Sequence, residues 1–237
     1  MLFIWIGGQF AKVQWEKCYL CYLFILIIAV VEWFCVPKGK LDRKKEKGEP
    51  HTAIPGTILF YTVMILFFGI FIFTFSSNIS LFITQRSLGG TVEASYASII
   101  YNLAGMVAGC VTGFVLSRLK YKVFSCSIII AAVGMLLCFF STGFPVLCIG
   151  AIFCGAAYSI AIPAGNYYAS IESTDYNRSF SIALLNALSG GGMLISPIFF
   201  GTVLTMLTIS QRFLASGIGM VLLLAAVCVG QRRMHRE

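Results

Sequence analysis

Few side chains in this sequence could carry out acid–base or metal chemistry. The two histidines, His51 and His235, lie in polar segments outside the long apolar runs. A serine protease acting within a membrane needs a Ser–His pair there, and a metalloprotease needs the H-E-x-x-H spacing, which the sequence lacks. Cys18 and Cys21 form a C-x-x-C, but a zinc site would need a second pair or a nearby histidine. We therefore predict that the chain is not an enzyme and has no metal site and no cofactor.

Binding chemistry is available from polar side chains that interrupt the apolar runs. These are Tyr101, Asn102, Tyr158, Asn186 and Ser189. Each could hydrogen-bond a neighbouring helix or line a cavity that accepts a solute. Ionisable residues within a membrane are expensive and usually functional, but none lies near the middle of an apolar run after residue 55. Glu32, near the end of an earlier run, is better suited to anchoring at the membrane interface than to carrying protons.

The composition excludes a soluble domain. The 237 residues are 59% hydrophobic and 11% charged, with a mean hydropathy of +0.90, whereas a soluble domain carries about 25% charged residues. Several uncharged runs reach the roughly 20 residues that a helix needs to cross a bilayer. Alternating ten-residue strands, typical of membrane barrels, are absent, so helices must satisfy the backbone groups within the lipid. The sequence predicts an all-α membrane protein whose partner is the lipid bilayer.

Charged and turn residues divide the chain into apolar spans. Residues 1–36 hold a partial helix at 2–10 and a first full span at 18–36. Residues 37–54 form a basic linker, and residues 232–237 form a tail. Between them, residues 55–231 are predicted to hold six spans, at 55–77, 95–117, 124–141, 146–169, 181–206 and 211–230. The segment 78–94, with its arginine, glutamate and glycines, is predicted to be a loop.

The distribution of Lys and Arg orients these spans. If the linker is cytoplasmic, 13 of the 17 basic residues lie in cytoplasmic segments and four lie outside. The positive-inside rule then places the carboxy terminus in the cytoplasm. The same bias accounts for the formal net charge of +8, so we do not expect a nucleic-acid partner.

Three glycines recur four residues apart in one apolar run. Gly105, Gly109 and Gly113 are predicted to share one helix face, and small residues let helices approach closely where lipid removes the hydrophobic driving force. The same run ends in a basic segment that contains Arg118 and Lys122. This combination is more specific than a single G-x-x-x-G.

The glycine-rich run resembles the second cytoplasmic loop motif of the major facilitator superfamily, between helices eight and nine. The family pattern is G-x-x-x-D-R-x-G-R-K or a close variant. Gly113, Arg118 and Lys122 match it, whereas Ser117 replaces the acid and Lys120 replaces the second glycine. These departures leave open the role that the missing carboxylate would serve.

Other segments resemble the same family in the expected order. The basic linker resembles the central loop between the two halves of such a transporter. Residues 153–166, with Pro163, are similar to helix ten, and residues 186–201, with Pro197, are similar to helix eleven. A proline within a helix kinks it, and broken helices surround many transporter binding sites.

The resemblance implies a fold and a function. The fold is a six-helix transmembrane bundle, half of the family's fold, preceded by an N-terminal partial helix, and the chain runs from the end of helix five to helix twelve. The function is transport of a small solute across the cell membrane by alternating access, with the five polar residues named above lining part of the cavity. Because they are uncharged, an apolar or neutral solute is favoured.

The same resemblance suggests that this is a partial chain whose partner is an N-terminal half or a second copy. The alternative function is a non-transporting membrane scaffold or partner subunit.

Overall fold

We describe the protein from a computed structural model, which describes residues 28, 30–32, 34–35, 55–119, 122–174, 177–203 and 206–234. The predicted partial helix at 2–10 and the basic linker at 37–54 lie outside the described residues, as do residues 235–237 of the predicted tail. Within the predicted first span, residues 28, 30–32 and 34–35 are helical and exposed. The predicted division of the chain into these N-terminal and linker segments therefore stays a prediction.

The described part of the chain folds into six long helices and no strands. They are α1 (Gly56–Gln85), α2 (Thr91–Leu119), α3 (Lys122–Phe139), α4 (Phe144–Glu172), α5 (Arg178–Ile198) and α6 (Ile209–Met234), with a π-helical segment at Phe199–Val203 directly after α5. All six are long and apolar enough to cross a membrane. The predicted all-α membrane bundle is confirmed.

Local sequence signals start the helices. Pro55 precedes α1, and Pro145 stands in the first turn of α4, where a proline costs no hydrogen bond. At the start of α6, Thr208 and Gln211 form a reciprocal capping box. The Thr208 N–H donates to Gln211 Oε1 at 2.9 Å, and the Gln211 N–H donates to Thr208 Oγ1 at 3.4 Å.

Helix α1 is longer than predicted. The segment 78–94 was predicted to be a loop, but α1 continues to Gln85 and only residues 86–90 connect it to α2. The helix continues because Ile79, Phe82 and Ile83 still point into the core, and because polar side chains bond to its own carbonyls, such as Asn78 to Thr74 O at 3.1 Å. Composition alone does not reveal this periodic burial.

The bundle is built around α1, which packs against all the other helices. Helix α5 and helix α6 flank it, α4 packs against α2 and α3, and α3 also packs against α6. We call the end where α1 stops and α6 starts the Arg86 end, and the opposite end the Arg118 end. This arrangement leaves α2 with one main neighbour, α4, and α5 with two, α1 and α4.

Helices α3 and α4 interlock through small residues. Gly134 on α3 faces Cys154 on α4, and Gly150 on α4 faces Cys138 on α3. A Cβ on Gly134 would lie 2.8 Å from the Cys154 sulfur, and one on Gly150 would lie 2.5 Å from the Cys138 sulfur. Both thiols are fully buried and free. The two cysteines therefore act as small packing residues, each opposite a glycine.

Candidate functional site

Helices α2 and α5 bury the least surface. In their most apolar 18-residue stretches, 11% of α2 and 22% of α5 is buried, against 39–56% in the other four spans. An apolar helix with so little burial inside the bundle faces lipid or another protein.

The predicted glycine face of α2 divides into a packed part and an open part. A Cβ on Gly105 would lie 2.6 Å from Ser159 Oγ and 3.2 Å from the Gly155 carbonyl oxygen of α4. In contrast, among the described residues no atom of another helix lies within 4 Å of the Cβ positions of Gly109 and Gly113. One glycine therefore joins α2 to its own bundle, and the other two leave room for a further helix.

Helix α5 repeats this division. A Cβ on Gly192 would lie 2.5 Å from the Leu66 carbonyl oxygen and 3.2 Å from the Cα of Gly69 in α1. Gly190, two residues earlier, has open space at its Cβ position. Both of the least buried helices thus combine a tight contact to the bundle with an open small-residue position. We call Gly109, Gly113 and Gly190 the open glycines.

The five predicted cavity residues fall into two groups. Tyr101 and Asn102 lie on α2, and Tyr158 lies on α4; both tyrosines are partly buried and pack against the hydrophobic core. The Tyr101 ring stacks on Phe75 of α1, with centroids 5.1 Å apart and an angle of 11° between the rings. Asn102 is exposed and donates to the Ser98 carbonyl oxygen at 2.7 Å. Tyr101 therefore has a packing role whether or not it contacts a solute.

The other two predicted cavity residues lie on α5. Asn186 is exposed and donates to the Ile182 carbonyl oxygen at 3.0 Å. Ser189 is buried, and its carbonyl oxygen lies 3.1 Å from the Cβ position of Gly69. Both asparagines are thus exposed on the least buried helices, and each donates to a carbonyl oxygen of its own helix.

The basic motif begins at the end of α2. The Arg118 guanidinium lies over the Phe114 ring, 5.4 Å from its centroid, and Ser117 donates to the Phe114 carbonyl oxygen at 2.8 Å. Ser117, which stands where the family has an acid, therefore turns to its own helix. Lys122 is the first residue of α3 and is exposed, whereas Lys120 lies outside the described residues.

The two prolines that were predicted to kink their helices lie at different positions along them. Pro163 lies inside α4, which continues to Glu172, and Pro197 lies near the end of α5. Directly after Pro197 the chain adopts the π-helical segment Phe199–Val203. Such segments are rare and occur often at functional sites. The π-helical segment was not predictable from the proline alone.

Two arginines at the Arg86 end have specific partners that the sequence does not reveal. Arg86 donates to the Ser141 carbonyl oxygen and the Ser210 hydroxyl, both outside its own helix. Arg212 donates to the Asn78 side-chain oxygen at 3.0 Å. The charge pattern identified both residues only as basic residues outside the predicted cytoplasmic segments.

Taken together, six apolar helices, two of them with open small-residue positions, define a polytopic helical membrane protein. Comparison with protein families identifies the class further. The family model of the Major Facilitator Superfamily matches residues 63–236, a range that begins within α1 and includes α2 to α6. The chain belongs to this superfamily of transporters, which confirms the resemblance seen in the sequence. Comparison with curated proteins finds no match.

Proposed function

We propose that this chain is the carboxy-terminal half of a secondary transporter for a small solute. It would work by alternating access, rocking against an amino-terminal half around a site near the middle of the membrane. The observation that carries this proposal is the position of the open glycines on α2 and α5. A second bundle of helices could approach these backbones closely, as small residues allow within a membrane.

The solute class follows from the polar groups near these helices. Every charged residue within the six helices lies in the first or last turn of its helix: Glu93, Arg118, Lys122, Glu172, Arg178, Arg212, Arg232 and Arg233. The predicted cavity residues offer phenol, amide and hydroxyl groups without charge. An uncharged solute therefore suits this half better than a sugar phosphate or an organic anion.

The proposed orientation places the Arg118 end and the carboxy terminus in the cytoplasm of a cell. The support is the excess of Lys and Arg in the linker, the basic motif and the tail. In this orientation the Arg86 end faces the exterior.

A reconstitution experiment tests the proposal. The full chain is placed in liposomes alone and together with an amino-terminal segment of the same family that supplies helices one to five. We expect uptake of radiolabelled neutral probes, glucose and indole among them, only with both parts, and no uptake of glucose 6-phosphate. Transport by the chain alone would contradict the partial-chain proposal. A stable complex that transports none of the probes would instead favour the scaffold.

A further inference from the structure

Helix α5 is anchored to the bundle as far as Ser196. Its buried residues recur every three or four positions and so share one face of the helix: Ser181, Leu185, Ser189, Gly192 and Ser196. Along this face the backbones of α5 and α1 touch, because the Cβ position of Gly69 lies 3.1 Å from the Ser189 carbonyl oxygen and 3.4 Å from the Gly192 Cα. The anchored face ends directly before Pro197.

The chain beyond this face is held by little. We call residues 197–203 the outer segment. Among the described elements, its π-helical part packs extensively only against α5 itself. Ile198, Gly201 and Thr202 are exposed, whereas Phe200 is 1% exposed. Burial of the Phe200 side chain is therefore the main contact that docks the outer segment.

Side-chain hydrogen bonds between described residues do not join the outer segment to another helix. The Ser196 hydroxyl is fully buried but has no partner among the described residues, and the Thr202 hydroxyl donates to the Ile198 carbonyl oxygen within the segment. Pro197 has no N–H, so the Met193 carbonyl oxygen lacks the donor that an unbroken helix supplies. A region with few buried contacts opens locally at a low cost in free energy.

The π-helical pairing places a second irregularity at the same point of α5. A π-helix bonds each carbonyl oxygen to the N–H five residues on, one residue more than an α-helix, and here it begins at Phe199. Sharp kinks in helices arise at prolines and at π-bulges, and α5 has both within one turn. We propose that Pro197 is a hinge about which the outer segment moves between two positions. Phe200 is buried in the docked position of this structure and exposed in the other.

The place of the hinge in the bundle gives it a role in transport. Helix α5 runs from the Arg118 end to the Arg86 end, so the outer segment lies at the Arg86 end. In the proposed orientation that end faces the exterior, and movement of the outer segment opens or closes access to α5 from that side. This role rests on the proposed function, whereas the two positions belong to this chain alone and can be measured without a partner half.

Fluorine NMR tests for the two positions. Phe199 is half-buried, and its ring meets that of Phe200 edge-on with centroids 5.2 Å apart, so 4-trifluoromethylphenylalanine at position 199 senses where Phe200 lies. We expect two resonances from the purified full chain in lipid nanodiscs, the weaker with about 1–10% of the area. Pro197→Ala restores the missing N–H and should reduce the weaker resonance at least about fivefold. Pro163→Ala is the matched control, because α4 continues past Pro163, and it should leave both areas unchanged.

A second pair of variants separates the hinge from general loosening of the bundle. Phe200→Ala removes the docking side chain and should raise the area ratio of the weaker to the stronger resonance at least about tenfold. Phe82→Ala removes a fully buried phenylalanine of α1 and should leave that ratio unchanged. Both are measured on the monodisperse fraction of each chain.

The outcomes distinguish the hinge from its role in transport. A single resonance in both the parent chain and Phe200→Ala, or equal changes in Phe200→Ala and Phe82→Ala, would overturn the hinge. Two resonances together with failed transport in the reconstitution experiment would support the hinge and overturn only its role.

Discussion

Gly155 of α4 lies directly against the backbone of Tyr101 in α2. A methyl group at Gly155 would overlap the Tyr101 carbonyl oxygen. Because that oxygen is a backbone atom, no change of side-chain rotamer can relieve the overlap. This contact, with Gly105 against Ser159 four residues further along α2, fixes α2 to the bundle. The remaining length of α2 then projects its open glycines away from α4.

Substitution of Gly155 should therefore destabilise the bundle. We expect Gly155→Ala to lower the free energy of unfolding by about 1–3 kcal/mol, the usual cost of overpacking, measured by SDS titration of the purified chain. Gly109→Ala is the matched control, because its Cβ position is open. It should be neutral or stabilising by up to about 1 kcal/mol, since alanine favours helix more than glycine does. An equal loss of unfolding free energy in both variants would show that the contact between Gly155 and Tyr101 does not limit the size of the side chain at Gly155.

The native cysteines report on the open face of α2. Cys110 and Cys228 are exposed, whereas Cys138 and Cys154 are fully buried. We expect N-ethylmaleimide to modify Cys110 and Cys228 in the detergent-solubilised chain and to reach Cys138 and Cys154 only after denaturation. Peptide mass spectrometry separates the four sites.

The same reaction tests the proposed partner half. Cys110 adjoins Gly109, so an amino-terminal half seated on α2 should protect Cys110 and leave Cys228, on α6, reactive. Equal reactivity of Cys110 with and without that half would show that it does not cover this face.

Sequence patterns predicted the elements of this fold better than their contacts. The bounds of α2, α3 and α4 lie within four residues of the predicted spans, because uncharged runs and the charges between them follow the membrane boundary directly. The π-helical segment after Pro197 and the extension of α1 depend on which neighbours bury each turn. Apolar composition does not contain that information.

The glycine face shows the limit of a spacing argument. Residues four apart on an α-helix are rotated by about 40°, so Gly105 and Gly113 differ by about 80° in direction. The first meets α4, and the other two glycines meet open space. The spacing predicted that these glycines allow close approach, but only the packing of α4 shows which one is already used within the chain.

Arg86 should stabilise the Arg86 end by joining three helices. Arg86 and Arg118 both stack on the phenylalanine four residues earlier, at 5.3 and 5.4 Å from the ring centroid. Only Arg86 adds hydrogen bonds to Ser141 and Ser210. We expect Arg86→Ala to lower the free energy of unfolding by about 1 kcal/mol, since an exposed charge contributes little more. Arg118→Ala should lower it less. Thermal melting of the purified variants measures both effects.

Hydrogen–deuterium exchange locates the Arg86 effect. In Arg86→Ala, amides around residues 139–141 and 209–210 should exchange faster, because the carbonyl oxygens that end α3 and the hydroxyl of Ser210 lose their donor. Arg86→Lys keeps a charge but not the forked geometry, so it should restore only part of the protection. Unchanged exchange at both segments would show that the guanidinium does not hold them.

Thr74 and Ser216 form a buried hydroxyl pair between α1 and α6. Ser216 Oγ donates to Thr74 Oγ1 at 2.8 Å, and both residues are fully buried. A double-mutant cycle with Thr74→Val and Ser216→Ala should give a coupling energy of about 0.6 kcal/mol, the average for such bonds within membranes. The double variant should lose less stability than the sum of the singles, because no hydroxyl remains unpaired. If the two unfolding free-energy changes are strictly additive in SDS titrations, each hydroxyl bonds its own helix instead. A control cycle between Thr74→Val and the distant Ser117→Ala should be additive.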